Sequence, residues 1–473
     1  MERFSLQDLM QVTGGRLREV DSADARFDRI SIDSREIQQG DVFWALQGEN
    51  HDGHDFAKEA LERHARLCVI SADRANCVDG ASLIVDETLS ALGQFARWNR
   101  SRLDALVIGV TGSVGKTTTR ELIFAALSGQ YHGIRSRKNF NNLIGLPLSL
   151  LDLDPSHEFA VLEMGASQIG DIQQLCDVAR PEVGVVTAIG PAHLQSFGSM
   201  AAIIQTKGEL LEQLPSTGFA VLPGDDIVLR QMADRAPCPV IFVGQGDDNQ
   251  IQATHVEAHA GSLRFRCEGF DFDIPVNGRH SLSNALCAIA IGLEIGISTR
   301  ILSSGLATFT PAPGRGGLIQ IGPWTVIDDT YNASPLSVAA SCRLLKDIVI
   351  PGARQRLLVL GDMRELGATA AFEHERIGNL AAELRFDRLL VCGEHAGDVA
   401  RGAKRSGMNA HQIAATNDTD TLLAILDCWL EPCDLLLVKG SRSTRMERVI
   451  DWLKTNAELR ERSQTTGQHR ICA

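Results

Sequence analysis

The chain has 473 residues, 44% of them hydrophobic and 22% charged, with a formal net charge of −13 at pH 7. That length is too great for one hydrophobic core and predicts about three domains, while the acidic balance without a basic cluster excludes a nucleic-acid-binding face. No apolar run reaches the roughly 18 residues of a membrane span, and eleven cysteines without a CxxC pair fit reduced thiols, so a cytoplasmic chain, a monomer in solution, is expected.

The first hundred residues read as short α/β units. Strands are expected near 29–32, 42–46 and 67–70, and helices around 56–64 and 89–102. The opening residues 1–10 are charged and amphipathic, unlike a secretory leader. His51 and His54 are spaced like a metal pair, but they sit in a loop with no cysteine nearby, which argues against a site. A first boundary near Arg102 closes a domain over 1–102.

The second domain, 103–312, opens on a β-branched apolar strand at 106–110, a turn of small residues at 111–115, and a helix over 119–127 entered through Lys116, Thr117 and Thr118. Backbone N–H groups of such a turn and the helix N-terminus form a phosphate cradle that glycines let the ligand approach. Thr111, Gly112, Ser113, Gly115 and Thr118 belong to that cradle; Lys116 is placed to reach the β- and γ-phosphates, and the Thr117 hydroxyl to hold Mg²⁺. Val110 stands where the usual pattern has its first glycine. Strands at 159–163 and 183–189 and helices at 171–178 and 199–214 then alternate, the signature of a parallel sheet, followed by a strand-rich stretch over 251–276. Pro311-Ala312-Pro313-Gly314 marks the second break. In the third domain, 313–473, strands at 325–328, 356–360, 388–392 and 435–438 alternate with helices as in a doubly wound unit, and the polar tail after Ala457 is expected to fray.

Side chains at strand ends carry the chemistry. Ligands of open α/β sheets bind at the carboxyl ends of strands, so Glu163 should face the phosphate loop and hold Mg²⁺. His193, just past another strand end, could bind a metal, act as acid or base, or be a hydrogen-bonded loop histidine. Lys207 reads on its own as a solvated helix lysine. Arg315 lies at the domain break, where closure could bring it to a γ-phosphate or where it could serve an interdomain salt bridge. Asp328 and Asp329 end what reads as the first strand of the last domain, placed to orient a ribose or a cation or to cap a helix.

These segments resemble the ATP-dependent Mur ligases over almost the whole chain, from Ile32 to Glu447. DSR at 33–35 with GDVFWAL and DGHDF resembles the family's uridine-nucleotide domain. TGSVGKTTT, NFNNLIGLPLSL, VLEMGA and GPAHLQSFGS resemble its central ATPase, and IDDTYNASP, LGDMRELG and VKGSRSTRME the C-terminal domain of the branch that adds a dipeptide. The implied fold is α/β in three domains, with a central P-loop parallel sheet between an N-terminal nucleotide-substrate domain and a C-terminal Rossmann-like one. The resemblance implies Mg²⁺ ligation by Glu163 and His193, and a Lys207 carbamylated by CO₂, whose anionic oxygens would join Thr117 at the metal. It also implies adenine-side contacts from His280 and Asn284, and phosphate and ribose contacts from Arg315 and Asp329. Substrate contacts would come from Ser34, Arg35, Asn141, Asn142 and Asn332. Ser281, Ala188 and the 222–225 turn depart from the family pattern.

The implied reaction joins D-alanyl-D-alanine to UDP-N-acetylmuramoyl-tripeptide through an acyl phosphate formed from ATP. Three other readings stand beside it. A switch GTPase would share the loop, but the chain has no Asn-Lys dipeptide and no Asp-x-x-Gly segment. A non-catalytic scaffold would not be expected to keep Lys116, Glu163, His193 and Lys207 together. A sister ligase adding a single amino acid would keep all four.

Overall fold

The computed structural model describes residues 4–468 apart from 21 and 49. The central sheet has nine strands, in the order Phe270–Ile274, Ser262–Cys267, Ile251–His259, Val240–Gly244, Phe219–Pro223, Val183–Val186, Leu106–Thr111, Phe159–Glu163 and Gly133–Arg135. From Gly133–Arg135 across to Ile251–His259 the pairing is parallel, and the last three strands form an antiparallel meander. The meander is the strand-rich stretch of the sequence. The central parallel strands, Phe159–Glu163, Leu106–Thr111, Val183–Val186 and Phe219–Pro223, are almost wholly apolar and buried because helices cover both their faces. Lys116–Leu127 and Leu282–Glu294 pack on one side, burying Leu122, Ile123, Leu286 and Ile289.

The C-terminal sheet has six strands, in the order Gly317–Ile321, Trp324–Asp329, Leu435–Lys439, Arg356–Gly361, Arg388–Cys392 and Ile413–Thr416. All neighbours are parallel except the first pair. The strand ending at Asp329 is therefore the second of its domain, not the first; an antiparallel hairpin partner precedes it. The tail does not fray at 457: a helix runs over Glu447–Gln468. Val449, Ile450, Leu453 and Ala457 seat its first turns on the sheet. Residues 469–473, with Cys472, lie outside the described residues, as do residues 1–3 of the opening segment.

The N-terminal sheet runs Arg16–Arg18, Ser82–Val85, Leu67–Ser71, Val42–Trp44, Ile30–Ser31. The strands at 16–18 and 82–85 are too short to show a period, and the sequence gives no warning of them. Helix Thr88–Ser101 packs on this sheet, and the core it builds extends beyond it. Leu92, Phe95 and Ala96 continue into Leu146, Leu150, Ile172 and Leu175 of the middle domain. Asn99 donates to the carbonyls of Leu150 and Leu153 at 3.1 and 3.2 Å, and Arg100 to those of Ala179 and Leu103. The first two domains thus share one continuous apolar core.

Candidate functional site

A cleft of about 850 Å³ opens between the middle and C-terminal domains. Strands Leu106–Thr111 and Phe159–Glu163 point their carboxyl ends into it from one side, and Trp324–Asp329 and Leu435–Lys439 from the other. Val110 belongs to the strand, paired with Glu163, so the phosphate loop proper begins at Gly112. Gly112 has φ +144°, and a Cβ there would lie 2.1 Å from Thr187 Oγ1; Gly115 has φ +87°. Both positions need glycine on conformational grounds. The loop is braced from below: Ser113 N–H donates to the Ala188 carbonyl at 2.8 Å and Ser113 Oγ to the Gly190 carbonyl at 2.9 Å. The Thr111 hydroxyl donates to the Met164 carbonyl at 2.8 Å, so Thr111 supports the loop from within the sheet.

Lys116 folds back over the loop, donating from Nζ to the Gly112 carbonyl at 2.8 Å. Burial pushes its pKa down, against the pull of Glu163. Glu163 is 3% exposed. Its Oε2 accepts from Thr117 Oγ1 at 2.9 Å and its Oε1 from Asn141 Nδ2 at 2.9 Å, while Arg120 Nη1 lies 3.4 Å from Oε2. Two segments, the helix Lys116–Leu127 and the loop at Asn141, therefore aim one carboxylate at the phosphate loop.

Lys207 lies buried on helix Met200–Glu212, whose N-cap is Ser199 as expected. It is not a solvated lysine. Its ammonium sits 5.6 Å from the Phe197 ring centre and has no hydrogen bond or ion pair among the described residues. Burial, reinforced by the Lys116 cation, pushes its pKa down to about 7. His193 has φ +55° and lines the cleft, where its Nδ1 pairs with Glu365 of the C-terminal domain. Burial lowers its pKa, and the Glu365 carboxylate opposes that.

On the opposite wall the Arg315 guanidinium lies 3.8 Å from the Tyr331 ring centre. Asp329 is held by Lys439 Nζ and by Ser341 Oγ, the latter at 2.6 Å, and Lys439 also donates to the Asn332 carbonyl at 2.9 Å. His280 lines the cleft near this pair, its pKa lowered by burial against the Asp329 charge. Asn284 lies behind the loop, its Oδ1 3.0 Å from where a Gly115 Cβ would sit. Ser281 turns inward and donates to the Asn277 carbonyl at 3.2 Å. Lys439, Ser341, Tyr331 and Glu365 were not singled out from the sequence. Lys439 had a signal: it ends a strand in register with Asp329, so two strand ends of opposite charge meet.

Other expected residues lie elsewhere. Ser34 donates to Glu59 at 3.0 Å and Arg35 pairs with Asp33 at 2.7 Å, both in the N-terminal domain and away from this cleft. Asn142 accepts from the N–H groups of Ile144 and Gly145 at 3.2 and 2.9 Å and so starts the helix Gly145–Leu150. Buried His54 is tied to Asp52 and Ser71, and among the described residues no group of three His, Cys, Asp or Glu side chains could hold a metal. Nor is any described helix long and apolar enough to cross a membrane.

Three family models match in chain order: the Mur ligase family catalytic domain over 26–97, the Mur ligase middle domain over 110–292 and the Mur ligase glutamate ligase domain over 314–442. The chain is 34% identical to the UDP-N-acetylmuramoyl-tripeptide–D-alanyl-D-alanine ligase of Escherichia coli (strain K12), over 96% of this chain and 99% of that one. It is 35% identical to the ligase of the same name from Bacillus subtilis (strain 168), over 89% and 92%. The crystal structure I of MurF from Acinetobacter baumannii superposes with a TM-score of 0.87 at 31% identity, over 96% of this chain and 99% of that one. MurF ligase from Thermotoga maritima in complex with ADP gives 0.79 at 29% identity, over 91% and 98%. With its three domains, phosphate loop and interdomain cleft, this chain belongs to the Mur ligase family.

Proposed function

We propose that this chain joins D-alanyl-D-alanine to the terminal carboxylate of UDP-N-acetylmuramoyl-tripeptide, with ATP converted to ADP and phosphate. It acts as a cytoplasmic monomer in peptidoglycan precursor synthesis. The observation that carries the reading is the pairing of a phosphate loop, closed by Lys116 and Glu163, with a basic wall across one cleft, in a chain aligned end to end with ligases of that name. The ten described cysteines are free, which fits a reducing compartment.

The chemistry must bring a carboxylate against a triphosphate. A carboxylate oxygen of the tripeptide attacks the γ-phosphorus and ADP departs; the dipeptide amine then attacks the acyl carbon, loses a proton, and expels phosphate. Lys116 and Arg315 neutralise charge where it develops, in a cleft that excludes water as the domains meet. The residues fit Mg²⁺: a hydroxyl and a carboxylate 2.9 Å apart suit an ion that keeps several waters and takes its other ligands from phosphates. Thr117 and Glu163 would hold it, and when bound it would polarise the transferred phosphoryl group. Lys207, pushed down to about 7, is about half neutral near pH 7. A neutral amine can add CO₂ and lose a proton; the resulting carbamate would offer oxygens that an ammonium lacks.

The test is phosphate release by purified protein with ATP, Mg²⁺ and a panel of donors and acceptors. Release should require both the tripeptide nucleotide and D-alanyl-D-alanine, and Lys116→Ala should lower it on the order of 10³-fold. Release with single amino acids in place of the dipeptide would overturn the reading in favour of a sister ligase. Labelling with ¹³C-bicarbonate should give a carbamate resonance that Lys207→Met abolishes; its absence from the unaltered protein would remove the carbamate.

A further inference from the structure

The turn 362–366, from the LGDMRELG segment, has no part in the chemistry above, yet it makes one of the contacts between the two walls of the cleft. Gln195 N–H of the middle domain donates to the Glu365 carbonyl at 2.9 Å, and the Glu365 side chain meets His193. Glu365 has φ +65°. A Cβ built on Gly367 would lie 3.7 Å from that of Gln195. A turn so exposed to the neighbouring domain needs an anchor in its own domain.

That anchor is a buried histidine. His374, on helix Ala370–Glu383, accepts the Met363 N–H at Nε2, 2.9 Å away, and its Nδ1 donates to the Ala370 carbonyl at 2.7 Å. Both ring nitrogens are thus committed and the neutral tautomer is fixed by its partners. Its ring stacks on His395 with centroids 4.5 Å apart. Asp362, fully buried, accepts from the N–H groups of Glu394 and His395 at 3.0 Å each and pins the same turn to the next loop. The charged or titratable groups around the ring are Asp362, His395 and Asp398. Ser441 holds the turn as well, accepting the Arg364 N–H at 2.8 Å and donating its own N–H to the Asp362 carbonyl at 3.0 Å. Removing the Nε2 acceptor therefore leaves the buried Met363 N–H without a partner and loosens the turn at that point.

We propose that His374 is a positioning residue for the ligase reaction: by holding the Met363 N–H it presets the 362–366 turn as the latch through which the C-terminal domain docks on the 193–195 loop. The inference rests on the ligase reading only for its kinetic arm. The structural arm is disulfide trapping in the full chain. Gln195→Cys with Gly367→Cys places two Cβ atoms at cross-linking distance, and oxidation should trap the latch, judged against each single cysteine variant. Adding His374→Phe, which keeps the stacked ring and removes both hydrogen bonds, should slow trapping by about tenfold. His374→Gln, which returns an acceptor near Nε2, should restore most of the rate. In the kinetic arm, on the native cysteine background, His374→Phe should lower kcat by about tenfold while KM for ATP stays within about twofold.

Trapping at the unaltered rate in folded His374→Phe overturns the proposal, as does a His374→Gln variant no better than His374→Phe. If His374→Phe is unfolded by circular dichroism, His374→Gln decides alone: near-native trapping supports the latch and lost trapping overturns it. Failure of the ligase reading is distinguishable, because it would abolish turnover in the unaltered protein while leaving the trapping result intact.

Discussion

The two walls of the cleft are built by opposite strategies. On the middle-domain wall, the cradle and its lysine come from one strand–turn–helix unit, and Lys116 bonds to the carbonyl of Gly112 four residues back. On the C-terminal wall the polar groups come from segments far apart in sequence: Asp329 meets Ser341 and, 110 residues on, Lys439. The cradle's glycines and lysine lie within one turn, although that turn is itself braced by the 187–190 segment. A wall of distant partners depends on the whole sheet, and its charges stay in place only while each is paired.

The sharpest way to break the C-terminal wall is Lys439→Met, which leaves the Asp329 carboxylate without its cation. Lys439 is 3% exposed at its side chain and Asp329 15%. Stranding one member of such a pair should cost about 3 kcal/mol, the lower end for a buried pair because Ser341 still donates. The change should appear as a lower urea midpoint. The double variant with Asp329→Asn should recover a large part of the loss, giving a coupling energy on the order of 1–3 kcal/mol. Additive losses would show that the two side chains do not stabilise each other.

The same contrast explains what the sequence makes legible. The phosphate loop, the strand ending in Glu163 and the Ser199 cap are local patterns, and they stand where the periodicity puts them. Lys439 lies in the VKGSRSTRME motif, but neither it nor Ser341 is marked there as a partner of Asp329; only the register of two parallel strands brings Lys439 to Asp329. Asn141 and Asn142 show the finest limit. They are adjacent and identical in type, yet one supports Glu163 and the other starts a helix. The hairpin strand Gly317–Ile321 is masked by the glycines at 314, 316, 317 and 322, which read as loop. Lys207 reads as a surface lysine because burial is a property of the packed helix pair, not of the side chain.

Lys207 gives a test of intermediate size on the middle-domain wall. A lysine whose folded pKa is lowered from 10.5 to about 7 binds fewer protons than the unfolded chain between those values. Stability should therefore rise with pH across roughly pH 7–10.5 and be flat below, where both states are protonated. Lys207→Met, which removes the desolvated cation, should stabilise the protein on the order of 1–3 kcal/mol at pH 7, a gain that shrinks towards pH 10. Urea titrations at the two pH values, run without bicarbonate, check it; equal gains at both would show that burial does not destabilise the charged amine.

The smallest effect separates the two asparagines. Asn142→Ala removes an acceptor for two N–H groups at the start of Gly145–Leu150. The loss should be about 1 kcal/mol, as for other helix-start side chains, with kcat and KM unchanged. Asn141→Ala leaves Glu163 Oε1 without its amide donor and should act on turnover instead, lowering kcat by about tenfold with little change in stability. The pair is informative because the substitution is chemically the same at both sites, so any difference comes from what each amide holds. If Asn142→Ala raised the KM of the tripeptide nucleotide, its side chain would have to leave the helix start to meet substrate. The middle-domain wall would then be less self-contained than its hydrogen bonds imply.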